Sequence, residues 1–389
     1  MEKSVKFRLY TLSVIRGLQS ASYAISIPFL SIYLYNVRGV PMTFVGLIVG
    51  VATIVGAMMR ILGGRLSDLY PSDRVMKFGL YLRAGGFLGF SILIWLNGYP
   101  VLFSLFFLLN SAGNSFFTSA SDLFVAKNFS ETDRPFGYSV IRVGGNLGFA
   151  IGPAIGGFIS RYSYGLTFFM SFLLQVICVF LVMYLVGSHS EDRYSNQNSK
   201  LSLAKLAEDK NFMVFIAGTF ILSLLMGQLI STLSVFSKSR GLSNTQIGYL
   251  YSINGLMVVF FQIALIRIVD LVGYKRGLIL GSVLYSIGYF LFTFAFNFWH
   301  FSIGVVILTL GEMLAMPLLT TVSSLMAPQD RRGLYIGFLG FTEGLAWAVA
   351  PMIGGALIDA FLKTPVFIWG TVSSFGIVSV LIFAKVKFK

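Results

Sequence analysis

The sequence predicts an all-α membrane protein of twelve transmembrane helices, arranged as two pseudo-symmetric six-helix bundles. Three observations predict it. The chain is 56% hydrophobic and only 11% charged, where soluble domains carry about 25% charged residues. Its apolar residues fall in long unbroken runs without strand-like alternation. The chain also repeats itself: Arg38-Gly39 recurs 202 residues later as Arg240-Gly241, Gly46 as Gly248, Asp68 as Asp270 and Arg74 as Arg276.

The runs lie at residues 8–35, 42–66, 75–97, 101–126, 135–160 and 165–187, then 211–236, 244–269, 277–296, 298–325, 333–360 and 365–384. Each comes close to or exceeds the roughly 20 residues that cross the hydrocarbon layer. Backbone amides in lipid have no water to bond, so continuous apolar runs of this kind must be helices. The one long polar stretch divides the chain into bundles at 1–187 and 211–389, with a cytoplasmic linker at 188–210. In the linker, Leu201, Leu203, Leu206 and Ala207 alternate with charges and predict a short amphipathic helix on the inner membrane surface.

The repeat continues as Gly79/Gly281, Gly86/Gly288, Ser121/Ser323 and Leu123/Leu325, and then its offset falls to 198, where Pro153, Gly156 and Gly157 return as Pro351, Gly354 and Gly355. The four lost residues fall most simply in the polar turn around Gln329, since loops tolerate deletion. Glycine matches are cheap in this composition, whereas matched arginines and aspartates are not. A duplicated apolar chain is the pattern of a transporter whose halves move against each other around a central site.

The net charge of +14 is a matter of topology and does not point to nucleic acid. With both termini in the cytoplasm, twenty Lys and Arg residues lie on the inner side and five (Arg38, Arg161, Lys238, Arg240 and Lys363) on the outer side. That is the positive-inside asymmetry, and it predicts a multi-pass plasma-membrane protein. The basic start at residues 3–8 leads into a segment too long for a signal peptide, so it reads as a retained first helix. Cys178 falls in an apolar run and reads as a packing residue, while His189 and His300 fall at loops or helix ends. No metal-ligand cluster, phosphate loop or nucleophile–base pair stands in the sequence. No enzyme activity, metal or cofactor is expected. The expected partners are a small-molecule substrate, protons and the lipid bilayer, with the chain working as a monomer.

Three stretches carry a resemblance. Gly64-Arg-Leu-Ser-Asp68 with Arg74, between the second and third segments, resembles the G-x-x-x-D-basic loop of the major facilitator superfamily. Asp270-Leu-Val-Gly273-Tyr-Lys275-Arg276 resembles the second half of the same motif. Gly148-Phe-Ala-Ile-Gly152-Pro153-Ala-Ile-Gly156-Gly157 is similar to the G-x-x-x-G-P-x-x-G-G signature associated chiefly with antiporters of that superfamily. With the six-plus-six duplication, the resemblance spans nearly the whole chain and implies the major facilitator fold. The fourth segment holds no basic residue, where the superfamily commonly has an arginine.

The loop residues imply gates. Asp68 and Asp270 fall where the second and eighth segments end on the inner side, and a carboxylate there can meet a helix N-terminus and nearby arginines. Asp68, Arg74, Asp270 and Arg276 are the expected gating residues, joined by Asp122 through Arg65 or Arg74. The four-residue spacing of Gly148, Gly152 and Gly156 predicts close helix packing, with Gly157 beside it and Pro153 able to bend the helix. The eleventh segment repeats the theme with Gly340, Gly344, Pro351, Gly354 and Gly355.

Ionisable residues inside the segments locate the site, because charges in hydrocarbon cost energy and usually face a cavity or a partner. Arg60, Arg83 and Asp122 lie close enough to inner helix ends for the arginines to snorkel. Arg16, Arg142, Glu312 and Glu343 lie deeper. Helical spacing sets Gln19 and Tyr23 on the face of Arg16, Asn146 beside Arg142, Asn114 beside Asn110, and Trp347 one turn from Glu343. The expected substrate-binding residues are therefore Arg16, Gln19, Tyr23, Asn110, Asn114, Arg142, Asn146 and Trp347. Asn110 and Glu312 are equivalent at the 202 offset, which sets them opposite each other across the expected pseudo-two-fold axis. A carboxylate loses its charge in a dry site and regains it beside a cation, so Glu312 and Glu343 are the expected proton carriers.

The expected function is secondary active transport by alternating access, as proton-coupled export of a small molecule. Uptake by symport or uniport is the alternative, favoured by the missing fourth-segment arginine and by the absence of an acid in the first segment. A membrane receptor or lipid-handling scaffold is a more distant one, since a static binder has no use for matched gates.

Overall fold

A computed structural model describes residues 3–129, 134–186, 206, 208–328 and 331–387. All regular structure among these residues is helical. The first half of the chain forms α1 (Lys3–Ile32), α2 (Met42–Leu69), α3 (Ser72–Trp95), α4 (Leu102–Asn128), α5 (Arg134–Ser160) and α6 (Tyr164–Leu181). The second half forms α7 (Lys210–Ile230), α8 (Thr232–Ser239), α9 (Asn244–Val272), α10 (Tyr274–Leu291), α11 (Phe298–Met326), α12 (Arg332–Phe361) and α13 (Pro365–Lys385).

Among the described residues nine helices are both long and apolar enough to cross a membrane: α2, α3, α5, α6, α7 and α10 to α13. The twelve expected spans are completed by α1, α4 and α9, which have 30, 27 and 29 residues. Of these, α1 and α4 have the length but spend more of it on polar side chains, among them Arg16, Gln19, Asn110, Asn114 and Asp122. The seventh expected segment is two helices, α7 and α8, broken at Ser231. There the Ser234 hydroxyl donates to the Ile230 carbonyl at 2.6 Å and Thr232 Oγ1 to Gln228 Oε1 at 2.6 Å. The Ser234 hydroxyl thereby competes with the backbone for a helix carbonyl. Most of the linker with its expected amphipathic helix lies outside the described residues.

The described chain packs as two units. One is built from α1, α3 to α6 and most of α2, and takes in Ser243–Val259 at the start of α9. The other is built from α7, α8, α10 to α13 and the rest of α9, and takes in Pro41–Gly50 at the start of α2. Each unit thus holds the opening turns of one helix from the other half of the sequence. In the first unit, Asn244 Nδ2 donates to Ser160 O at 3.2 Å and to Tyr164 Oη at 3.0 Å, and Thr245 Oγ1 donates to Gly157 O at 3.2 Å. Their counterparts at the 202 offset are Met42 and Thr43. In the second unit Asp359 holds both.

Close backbone packing explains the α5 glycines. A Cβ on Gly148 would lie 1.9 Å from Gly17 O and one on Gly156 would lie 2.1 Å from Ile25 O, so α5 lies directly on the backbone of α1. Gly152 is nearly as tight, 2.8 Å from Ala21 O on the same measure. Gly157 and Gly355 serve the exchanged turns, at 2.5 Å from Asn244 O and 2.3 Å from Met42 O. Gly354 lies against the Thr232 and Gln228 side chains. Gly340 and Gly344 correct the expectation, since no atom lies within 4 Å of where their Cβ would be. At the 198 offset they match Arg142 and Asn146, which are not packing positions either.

The repeat is legible in the backbone. Gly39 and Gly241 both adopt left-handed φ, +64° and +90°, a conformation that glycine reaches without steric penalty. Gly86 packs against Phe106 exactly one repeat before Gly288 packs against Leu308. Cys178 is fully buried beside Ile15, Phe117 and Phe124 in the first unit's core, as a packing residue should be.

Candidate functional site

The first unit contains a cavity of about 430 Å³. Four helices line it: α1 with Arg16 and Ser20, α2 with Arg60, α4 with Thr118, Ser121 and Asp122, and α5 with Tyr138, Ile141, Arg142, Gly145, Asn146 and Phe149. Three of the expected substrate-binding residues, Arg16, Arg142 and Asn146, therefore meet in one space.

Arg16 Nη1 donates to Thr118 Oγ1 at 3.2 Å. Gly145 lies beside it, where a Cβ would make ordinary van der Waals contact with Arg16 Cγ at 3.4 Å. Arg60 Nη2 pairs with Asp122 Oδ2 at 3.3 Å, the two side chains being 61% and 45% exposed. This corrects the expected partners of Asp122, Arg65 and Arg74. Asp122 lies on the α4 face that packs on α2, where Ser119 Oγ also donates to Arg60 O at 3.1 Å, while Arg65 and Arg74 are exposed. Tyr138 Oη donates to the Asp122 carbonyl at 3.3 Å.

Arg83 on α3 does not snorkel. It is 2% exposed, and its Nη1 donates to Gln19 Oε1 and to Asn114 Oδ1, both at 3.1 Å. Its guanidinium stands 5.8 Å from the Phe87 ring centroid, and Tyr23 lies within its electrostatic reach. The amides expected to bind substrate thus hold an arginine that sequence reasoning had set aside. The signal was available: Arg83 stands at the 202 offset from Tyr285, a broken pair between two buried residues. Gln19 Nε2, Arg83 Nε and Asn110 Nδ2 are all buried without an acceptor.

In the second unit Glu312 is half-buried on α11, within electrostatic reach of the Tyr285 phenol. Glu343 and Trp347 are half-buried one turn apart on α12, and Glu343 makes no hydrogen bond or ion pair among the described residues. Of the expected gates, Arg74 and Arg276 are exposed, while the side chains of Asp68 and Asp270 lie outside the described residues. Among the described residues no cluster could hold a metal ion.

The sequence profile of the Major Facilitator Superfamily matches residues 12–265 and 212–388. The chain belongs to this superfamily. As a member it is a multi-pass membrane transporter, and its all-helical two-bundle architecture is the superfamily fold. An uncharacterized superfamily transporter of Bacillus subtilis, YttB, is 24% identical over 342 residues, covering 86% of this chain and 84% of its own. The quinolone resistance protein NorA of Staphylococcus aureus is 24% identical over 366 residues, covering 92% and 91%. Among solved structures, a mutant of the nucleoside transporter NupG superposes with a TM-score of 0.82 at 14% identity, covering 98% of this chain and 100% of that one. At that identity the likeness to NupG concerns the superfamily fold alone.

Proposed function

We propose that this superfamily member exports a small molecule in exchange for protons by alternating access, working as a monomer in the plasma membrane with both termini cytoplasmic. The observation that carries the reading is the cavity in the first unit, where Arg16 and Arg142 open onto a volume of about 430 Å³. Transporter sites sit near the bilayer midplane on helices of this kind, and ligand pockets run to roughly 300–1,000 Å³. Export is supported by the Gly148 to Gly157 signature on α5 and by the relative named for quinolone resistance.

Proton exchange rests on Glu312 and Glu343. A carboxylate that passes between a dry and a wet environment in each cycle takes up and releases a proton. Asp68, Arg74, Asp270 and Arg276 act as inner gates, biasing the exchange between access states, and Asp122 joins them through Arg60.

In proteoliposomes with an imposed pH gradient, substrate-dependent proton flux should vanish in Glu312→Gln or in Glu343→Gln. Full coupled flux in both single variants and in the double variant would remove the proton assignment. Substrate accumulation in the direction of proton flow would replace export with symport. Asp68→Asn should slow exchange while leaving substrate binding intact, and an unchanged exchange rate would return the loop to ordinary solvated charge.

A further inference from the structure

We infer that the cargo is an organic anion, received at its acidic group by Arg16 and Arg142. The inference rests on the transporter reading and names the substrate class of the same cavity. The first argument is charge. Beyond the arginines near helix ends (Arg8, Arg65, Arg74 and Arg134), the helices of the first unit carry Arg16, Arg60, Arg83 and Arg142, and Asp122 is the one carboxylate bonded to any of these four among the described residues. It is committed to Arg60 at 3.3 Å. Arg16 bonds a neutral hydroxyl with Asp122 within electrostatic reach, Arg83 bonds two neutral amides, and Arg142 is exposed on the cavity wall with no carboxylate bonded to it among the described residues. The cavity lining thus carries Arg16, Arg60 and Arg142 against the single carboxylate of Asp122, and unpaired charge within a membrane span is costly and usually meets a partner, so an anion would balance the surplus.

The second argument is the kind of donor on the lining. Carboxylate, sulfonate and phosphate oxygens accept hydrogen bonds and do not donate them. Guanidinium forks match these groups bidentately. The cavity also supplies Ile141 and Phe149 for an apolar remainder, so the class is an amphipathic organic acid.

The test is equilibrium binding to purified full-length protein in detergent, read by thermal shift and calorimetry. The probes are benzoate, 2-naphthoate, benzenesulfonate and phenyl phosphate, each against its neutral amide or ester and a matched ammonium compound. At least one anion should bind tenfold or more tightly than both of its matched partners, and added salt should weaken it. Arg142→Gln should weaken that anion at least tenfold while the ligand-free melting temperature stays within a few degrees. Arg16→Gln should act the same way. The inference is overturned if the neutral or cationic probes bind as tightly as the anions, if no anion binds, or if Arg142→Gln leaves anion affinity unchanged. Binding needs no gradient, so the two readings fail separately. Anion binding without flux removes the transport cycle and leaves the anion site, whereas coupled flux of cations without anion binding does the reverse.

Discussion

Asp359, near the end of α12, grips the first turn of α2 through Thr43. Its Oδ2 accepts from Thr43 N at 2.7 Å and from Thr43 Oγ1 at 2.6 Å, while its Oδ1 accepts from Met42 N at 2.8 Å. A carboxylate at a helix N-terminus satisfies amides that have no partner within the helix and meets the positive end of its dipole. The repeat sharpens the relationship. The equivalent of Asp359 at the 198 offset is Arg161, so the first unit holds its exchanged turn through Asn244 and Thr245 instead. Removing a cap costs about 1 kcal/mol. Asp359→Ala should therefore lower the melting temperature in detergent by one to a few degrees, and Asp359→Asn by less. An unchanged melting curve for Asp359→Ala would leave the contact without energetic weight.

Glycines of identical type should respond in opposite directions. Gly148 has Gly17 O where a Cβ would go, at 1.9 Å, whereas Gly340 and Gly344 have open space. Gly148→Val should cost about 1–3 kcal/mol through overpacking and reduce the yield of monodisperse protein. Gly344→Ala should be neutral or stabilising by about 0.4–1 kcal/mol, through lower entropy of the unfolded chain. The comparison is read by size-exclusion profile and thermal melt.

The Arg60–Asp122 pair is exposed at both ends, so its loss should cost less than about 1 kcal/mol. Asp122→Asn should leave the melting temperature nearly unchanged and tighten the binding of anionic probes, because the cavity gains net positive charge. Weaker anion binding in this variant would mean that Asp122 orients Arg60 toward the ligand.

Lys275 closes the other end of a helix. Its Nζ donates to Ala384 O at 2.7 Å and to Val386 O at 3.0 Å at the C-terminus of α13, where a cation bonds free carbonyls and opposes the dipole. Lys275→Met should cost about 0.3–1 kcal/mol, with a smaller loss at high salt. Equal losses at low and high salt would assign the effect to packing of the aliphatic stem.

Much of the fold was legible because the bilayer permits little else. Long apolar runs could only be helices, and the matched Arg38-Gly39 and Arg240-Gly241 turns returned as matched positive φ angles. The site was legible in part. Arg16, Arg142 and Asn146 could be grouped by helical face, and the cavity does collect them. Arg83 was misjudged because depth along one helix says nothing of the neighbours across from it. Gln19 from α1 and Asn114 from α4 replace the water that a snorkelling side chain would seek.

By itself the sequence determined helix class, spans, duplication and the surplus of arginines in the first half, since hydropathy and repeat register are local properties that survive without coordinates. Only the tertiary structure decided which arginine is paired, which is buried among amides and which lines the cavity. Those outcomes depend on contacts between helices far apart in the chain, such as Arg60 with Asp122 and Arg83 with Gln19. A side chain's electrostatic state follows from what surrounds it in space, and no periodicity along one helix encodes that.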